Sequence, residues 1–105
     1  MEEYLCITVL SKPDESQAGF SARLSQFWTH MLRNFQANFE LVYAEKCGFE
    51  SRGDQLARLY LAEEPVADLL EREMSQHNID HLPLDRDDLY SKYEAVAPEW
   101  MQIEH

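Results

Sequence analysis

The sequence predicts an α+β fold in a single domain spanning residues 1–105. Two observations carry that reading. Residues 19–38 hold the longest helical pattern, with Phe20, Leu24, Phe27, Trp28, Met31 and Phe35 on one stripe and Leu32 at its edge. Around it lie segments that read as strands bounded by turn residues. A helix face with three Phe and a Trp needs a broad apolar partner, and one face of a sheet supplies it.

The elements follow in order. Tyr4–Leu10 is a strand, β-branched and unbroken until Ser11-Lys12-Pro13. Its alternation turns Leu5, Ile7 and Val9 toward the helices and Tyr4, Cys6, Thr8 and Leu10 away from them. Asp14 and Gln17 are the expected capping pair of the long helix, Gly19 weakens its first turn, and Asn38 is a left-handed stop. Residues 39–49 form the second strand. Ser51-Arg52-Gly53-Asp54 is turn chemistry, so Gln55–Ala62 returns as the third strand of a hairpin. Pro65 suits the first position of a helix running to about residue 77, with Val66, Leu69, Leu70 and Met74 as its stripe and Asn78 as its end.

Beyond Asn78 the pattern is looser. Residues 79–84 or 100–104 supply a fourth strand. Asp85 is placed as an N-cap with Asp88 three residues on, and Leu84 and Leu89 suit a hydrophobic staple, which predicts a helix over 86–96 closed by Pro98. The order β-α-β-β-α-β is that of the ferredoxin-like split βαβ fold, here with an extra C-terminal helix. That fold hosts many unrelated activities, so function has to be argued from a site.

Composition bounds the function. At 45% hydrophobic the chain is not a disordered polymer, and no run approaches the roughly 18 apolar residues of a membrane span. The acidic start of residues 1–10 is unlike a signal peptide, so a cytoplasmic setting and free thiols at Cys6 and Cys47 are expected. The net charge of −11 is uneven: −2 over residues 1–62 and −9 over residues 63–105. Nucleic-acid binding needs a basic surface, which this chain lacks. The long helix carries Arg23 and Arg33 and no acid, so its charge complements the acidic C-terminal part.

Three groups of residues could carry chemistry. Glu73 and His77 are one helical turn apart inside the apolar arc of the second helix, and His81 follows four residues later. Such residues can share a metal or exchange protons. The pattern matches no established metal signature, however, and an imidazole at a helix end also satisfies carbonyls, so no metal and no cofactor is expected. The second group is the sheet face turned away from the helices. Cys6, Arg58 and Tyr60 are placed there with Val42 and Ala44, Arg58 as an anion handle, and Tyr43 is a further ligand-binding candidate for a pocket between sheet and lid. The third is the acidic block around Asp85, Asp87 and Asp88, which lacks the Gly and distal Glu of a calcium loop. Gly-rich phosphate loops and nucleophile elbows are absent.

Two functions remain. One is an acidic binding or interaction module, homodimeric through the outer sheet face, taking a protein partner or a small molecule. The other is a small cofactor-free enzyme with a pocket between that face and a lid carrying Tyr90, Tyr93 and Trp100. The dimer follows from the apolar character of Tyr4, Cys6, Thr8 and Leu10, which require cover from a second copy or from the chain's own tail.

Overall fold

The computed structural model describes residues 4–35, 43–87, 89–90 and 95–96, with residues 43–48, 89–90 and 95–96 described through their backbone. The chain is a small α+β domain, its described residues forming an antiparallel sheet and two helices. Its elements are β1 (Tyr4–Leu10), α1 (Gln17–Phe35), β2 (Tyr43–Arg52), β3 (Gln55–Ala62), α2 (Glu64–Gln76), β4 (Leu89–Tyr90) and β5 (Ala95–Val96). Three long strands carry the sheet, β3 lying between β1 and β2. The two-residue strands pair at the edges, β4 on β1 and β5 on β2. Among the described residues no helix is long and apolar enough to cross a membrane.

Local chemistry sets the boundaries. Ser16, not Asp14, caps α1: its Oγ accepts the Gly19 backbone N–H at 3.0 Å, the usual reach from an N-cap to the third helical residue. A Cβ at Gly19 would sit 3.2 Å from that oxygen, so the glycine leaves room for the cap. The hairpin between β2 and β3 turns through Gly53 and Asp54, with Arg52 opposite Gln55. Gly53 alone of the two has positive φ (65°), as a type II′ turn requires. The sequence ended β2 at residue 49; pairing through this tight turn extends it to Arg52. Residues 39–42 and the expected stop at Asn38 lie outside the described residues.

The C-terminus of α2 is a Schellman motif. Asn78 takes φ 57°, and the Ile79 N–H donates back to the Met74 carbonyl at 2.9 Å. Ile79 and Met74 are both buried in the same apolar cluster, which supplies the motif's hydrophobic contact.

The core lies between the helices and the inner face of the sheet. Phe20, Leu24, Phe27, Trp28 and Met31 from α1 meet Leu5, Ile7 and Val9 from β1 and Val66, Leu70 and Met74 from α2. Each fully buried large apolar side chain contributes about 1.5–3 kcal/mol, so this face dominates stability.

The register of β3 corrects one expectation. Leu5, Ile7 and Val9 stand opposite Ala62, Tyr60 and Arg58. Directly opposed residues share a face, so Arg58 and Tyr60 face the helices and not the Cys6 side. The physical reason is the need of Trp28. Its indole N–H is buried and donates to the Tyr60 hydroxyl at 3.1 Å, with the rings edge to face at 5.0 Å. Arg58 lies over the rings of Phe49 and Tyr60 at 5.4 and 5.6 Å. The outer face therefore carries Leu59 and Leu61 beside Tyr4, Cys6 and Thr8.

That outer face is covered in part within one chain, with Cys6, Thr8 and Leu10 half-buried. Tyr4 and Leu61 are fully buried and Leu59 is 6% exposed. β4 and β5 sit on opposite edges of the sheet, yet Tyr90 and Ala95 are separated by five residue steps, a reach of at most about 18 Å. Four strand spacings in a flat sheet measure about 19 Å, so the sheet departs from flatness.

The expected helix over 86–96 does not form. Leu89–Tyr90 and Ala95–Val96 are strands, paired to Tyr4 and Leu5 and to Ala44 and Glu45. An isolated helix of eleven residues is marginal, whereas the outer edges of β1 and β2 offer rows of donors and acceptors. Asp85 caps a local turn instead, accepting the Asp87 N–H at 3.0 Å. Of the two segments considered for a fourth strand, 79–84 reaches the β1 edge through a single bridge of Val9 with His81. Residues 100–104, and with them Tyr93 and Trp100, lie outside the described residues.

Candidate functional site

The α2 stripe of Val66, Leu70, Glu73, Met74 and His77 repeats at helical spacing, so Glu73 is carried into the interior and His77 to its margin. On α1, His30 follows Phe27 by three residues and faces the same place from the other side. The structure thus joins Glu73 and His77, paired in the sequence reading, to a histidine that the reading did not include. One ligand atom from each of His30, Glu73 and His77 lies within 4.8 Å of the other two.

The geometry is specific. His30 Nε2 is 3.4 Å from Glu73 Oε1, and His77 Nε2 is 3.9 Å from the same oxygen. The two imidazoles lie 4.2 Å apart between centroids. Phe27 stands edge to face against His77 at 6.1 Å. Asn34 sits one turn beyond His30, its amide 3.3 Å from Nδ1 and donating to the His30 carbonyl at 2.8 Å. Glu73 is buried while both histidines are partly exposed. Arg72 reaches the other Glu73 oxygen at 3.6 Å from the solvent side.

A cavity of about 200 Å³ opens here, lined by Arg23, Gln26, Phe27, His30, His77 and Ile79. It is smaller than the roughly 300–1,000 Å³ of drug-sized ligand sites, so an ion with its waters or a ligand of few atoms suits it. Arg23 is held at its rim by Glu15, through bonds of 2.8 and 2.7 Å. Above all, the Arg23 hydrogen bond holds the Glu15 carboxyl below its ordinary value, against the opposing effect of burial.

His81 does not join the cluster. With Asn78 in the left-handed region the helix has ended, and His81 is carried to the β1 edge. Its Nδ1 is 2.9 Å from the Ile79 carbonyl, which can only accept, so the proton sits on Nδ1. The candidates of the outer face also separate. Cys6 is half-buried and lines a second cavity of about 230 Å³ with Thr8, Leu59, Leu82 and Asp85. Arg58 and Tyr60 are across the sheet from it. Tyr43 pairs in register with Leu61, and its side chain lies outside the described residues.

His30 was missed because nothing local marks it. It lies beside the buried stripe of α1 with no metal-binding or catalytic spacing to any neighbour in sequence; only packing of α1 against α2 makes it a neighbour of Glu73. No family model, curated protein or solved structure matches the chain.

Proposed function

We propose that the chain is a small, acidic, non-catalytic binding module of the ferredoxin-like class, acting in a cytoplasmic setting through the cleft between α1 and α2. The observation that carries the reading is the convergence of His30, Glu73 and His77 beside a cavity too small for most metabolites. The cavity lining holds no Ser, Thr, Cys, Lys or Tyr among its described residues, which leaves the two imidazoles as its reactive groups. The fold assignment draws support from the strand order, in which β3 lies between β1 and β2 and β1 lies between β4 and β3.

Native mass spectrometry of the intact protein tests the reading. A retained mass that disappears in His77→Ala is the expected result; a retained mass indifferent to that change puts the site elsewhere. The enzyme reading keeps one observation in its favour, two imidazoles against a buried carboxylate, an arrangement suited to proton transfer. Retention of an organic molecule of a few atoms, released chemically altered, would favour it.

The motive for a homodimer is weaker than the sequence implied, because Tyr4, Leu59 and Leu61 are buried within one chain while Cys6, Thr8 and Leu10 are half-buried. Among the described residues the one large apolar side chain left exposed is Leu82, at 39%. The proposed state is a monomer at tens of micromolar, an order of magnitude matched to a modest interface. A dimer by sedimentation that Thr8→Arg dissociates would restore the outer sheet face as an interface.

A further inference from the structure

We infer that His30, Glu73 and His77 form a site for one divalent first-row transition-metal cation of the zinc class. The inference deepens the reading of the α1–α2 cleft as a binding site and rests on it.

The starting point is Glu73. It is 6% exposed, and burying a carboxylate costs several kcal/mol unless it is paired and hydrogen-bonded. Among the described residues its nearest nitrogens are at 3.4, 3.6 and 3.9 Å. A charge-assisted hydrogen bond would be about 2.7–2.9 Å. The His30 nitrogen is thus at the long limit of a hydrogen bond, and the other two are gathered around the carboxylate without bonding it.

Those spacings suit a shared cation better. Bonds of about 2.0–2.1 Å in a tetrahedron place its ligand atoms about 3.3–3.4 Å apart. The His30–Glu73 separation of 3.4 Å already equals that edge. The His77–Glu73 separation of 3.9 Å needs to close by roughly half an ångström. Both histidine side chains are more than a third exposed, at 35% and 41%, so their rings can turn without moving the core.

The donor set selects the cation. Two imidazole nitrogens and one carboxylate oxygen suit zinc, cobalt, nickel or ferrous iron; magnesium and calcium prefer oxygen throughout. The fourth position would face the 200 Å³ cavity, where there is room for water. Asn34 stands beside the His30 ring, its Nδ2 donating to the His30 carbonyl at 2.8 Å and lying 3.3 Å from Nδ1.

The test uses the full chain, stripped with chelator and titrated with zinc chloride, and with cobalt chloride to read coordination from the visible band. One equivalent per chain and an intense four-coordinate cobalt band are expected. His30→Ala and His77→Ala should each weaken zinc at least ~100-fold, the upper end of what loss of an outer-shell partner does. Glu73→Gln keeps the buried shape and should also weaken it. Cooperative unfolding of His30→Ala would show that its loss is not misfolding. No equivalence point for either metal overturns the inference. Zinc binding that survives in the His30→Ala/His77→Ala double variant overturns it and the cleft with it. A native mass excess that is organic and lost in His77→Ala overturns the metal alone and leaves the cleft standing.

Discussion

The α1–α2 cleft and the outer edge of β1 sit at the two ends of one short segment, residues 73–82. In the cleft, the end of α2 presents side chains: Glu73 and His77 project one turn apart and meet His30 from α1. At the edge, the chain presents its backbone: the Leu10 N–H donates to the Asp80 carbonyl at 2.7 Å and the Leu82 N–H to the Thr8 carbonyl at 2.9 Å. His81 there serves its own loop. A helix end gathers side chains across a packed interface, whereas a strand edge uses up main-chain donors and acceptors. Asn78 separates the two regimes.

The largest expected effect is at the cleft wall. Phe27 is 4% exposed and touches both Trp28 and His77. Phe27→Ala should destabilise by about 3–5 kcal/mol in urea unfolding, because the aromatic leaves a cavity. Near-wild-type stability would mean that the cleft is not built on the core.

Next comes the separator. Asn78→Val forces a β-branched residue to positive φ and should cost about 1–3 kcal/mol, whereas Asn78→Gly should be close to neutral. Equal stability of the two variants would show that the left-handed turn is not what divides His77 from His81.

A smaller effect is expected at the rim. Glu15→Gln removes the paired bonds to Arg23 and should cost roughly 0.5–1 kcal/mol at neutral pH. Glu15 has a lowered pKa, so its contribution is present above its ordinary value of 4.5 and is lost as pH falls through the lower folded value. The gap between variant and wild type should therefore close in acid; a gap that persists there would assign the effect to something other than the carboxylate charge. Smallest of all, His81→Ala should change stability by less than about 0.5 kcal/mol and zinc affinity not at all. Weakened zinc binding in that variant would erase the contrast between cleft and edge.

How much of this was legible in the sequence differs by element. The apolar stripe of α1, the extents of β1 and β3 and the ending of α2 at Asn78 follow from local periodicity and local backbone preference, and a single sequence carries both. The half of the site on α2 was legible for the same reason, since Glu73 and His77 are one turn apart on one helix. His30 was not, because its relation to Glu73 spans 43 residues and exists only through packing.

Three features were decided by the tertiary structure. The face of Arg58 and Tyr60 depends on the register of β3 against β1, where a shift of one residue exchanges every side chain between faces. The fate of residues 89–90 and 95–96 depends on distant strand edges whose open donors and acceptors outweigh a short helix's own signals. The meeting of His30 with Glu73 depends on the packing of α1 against α2. Composition and spacing determined the helix or strand character of residues 4–35 and 55–76 and where their apolar surface lay, because those forces act within a few residues. Which of the polar residues would meet was settled by contacts between segments far apart in the chain, and no local pattern encodes those.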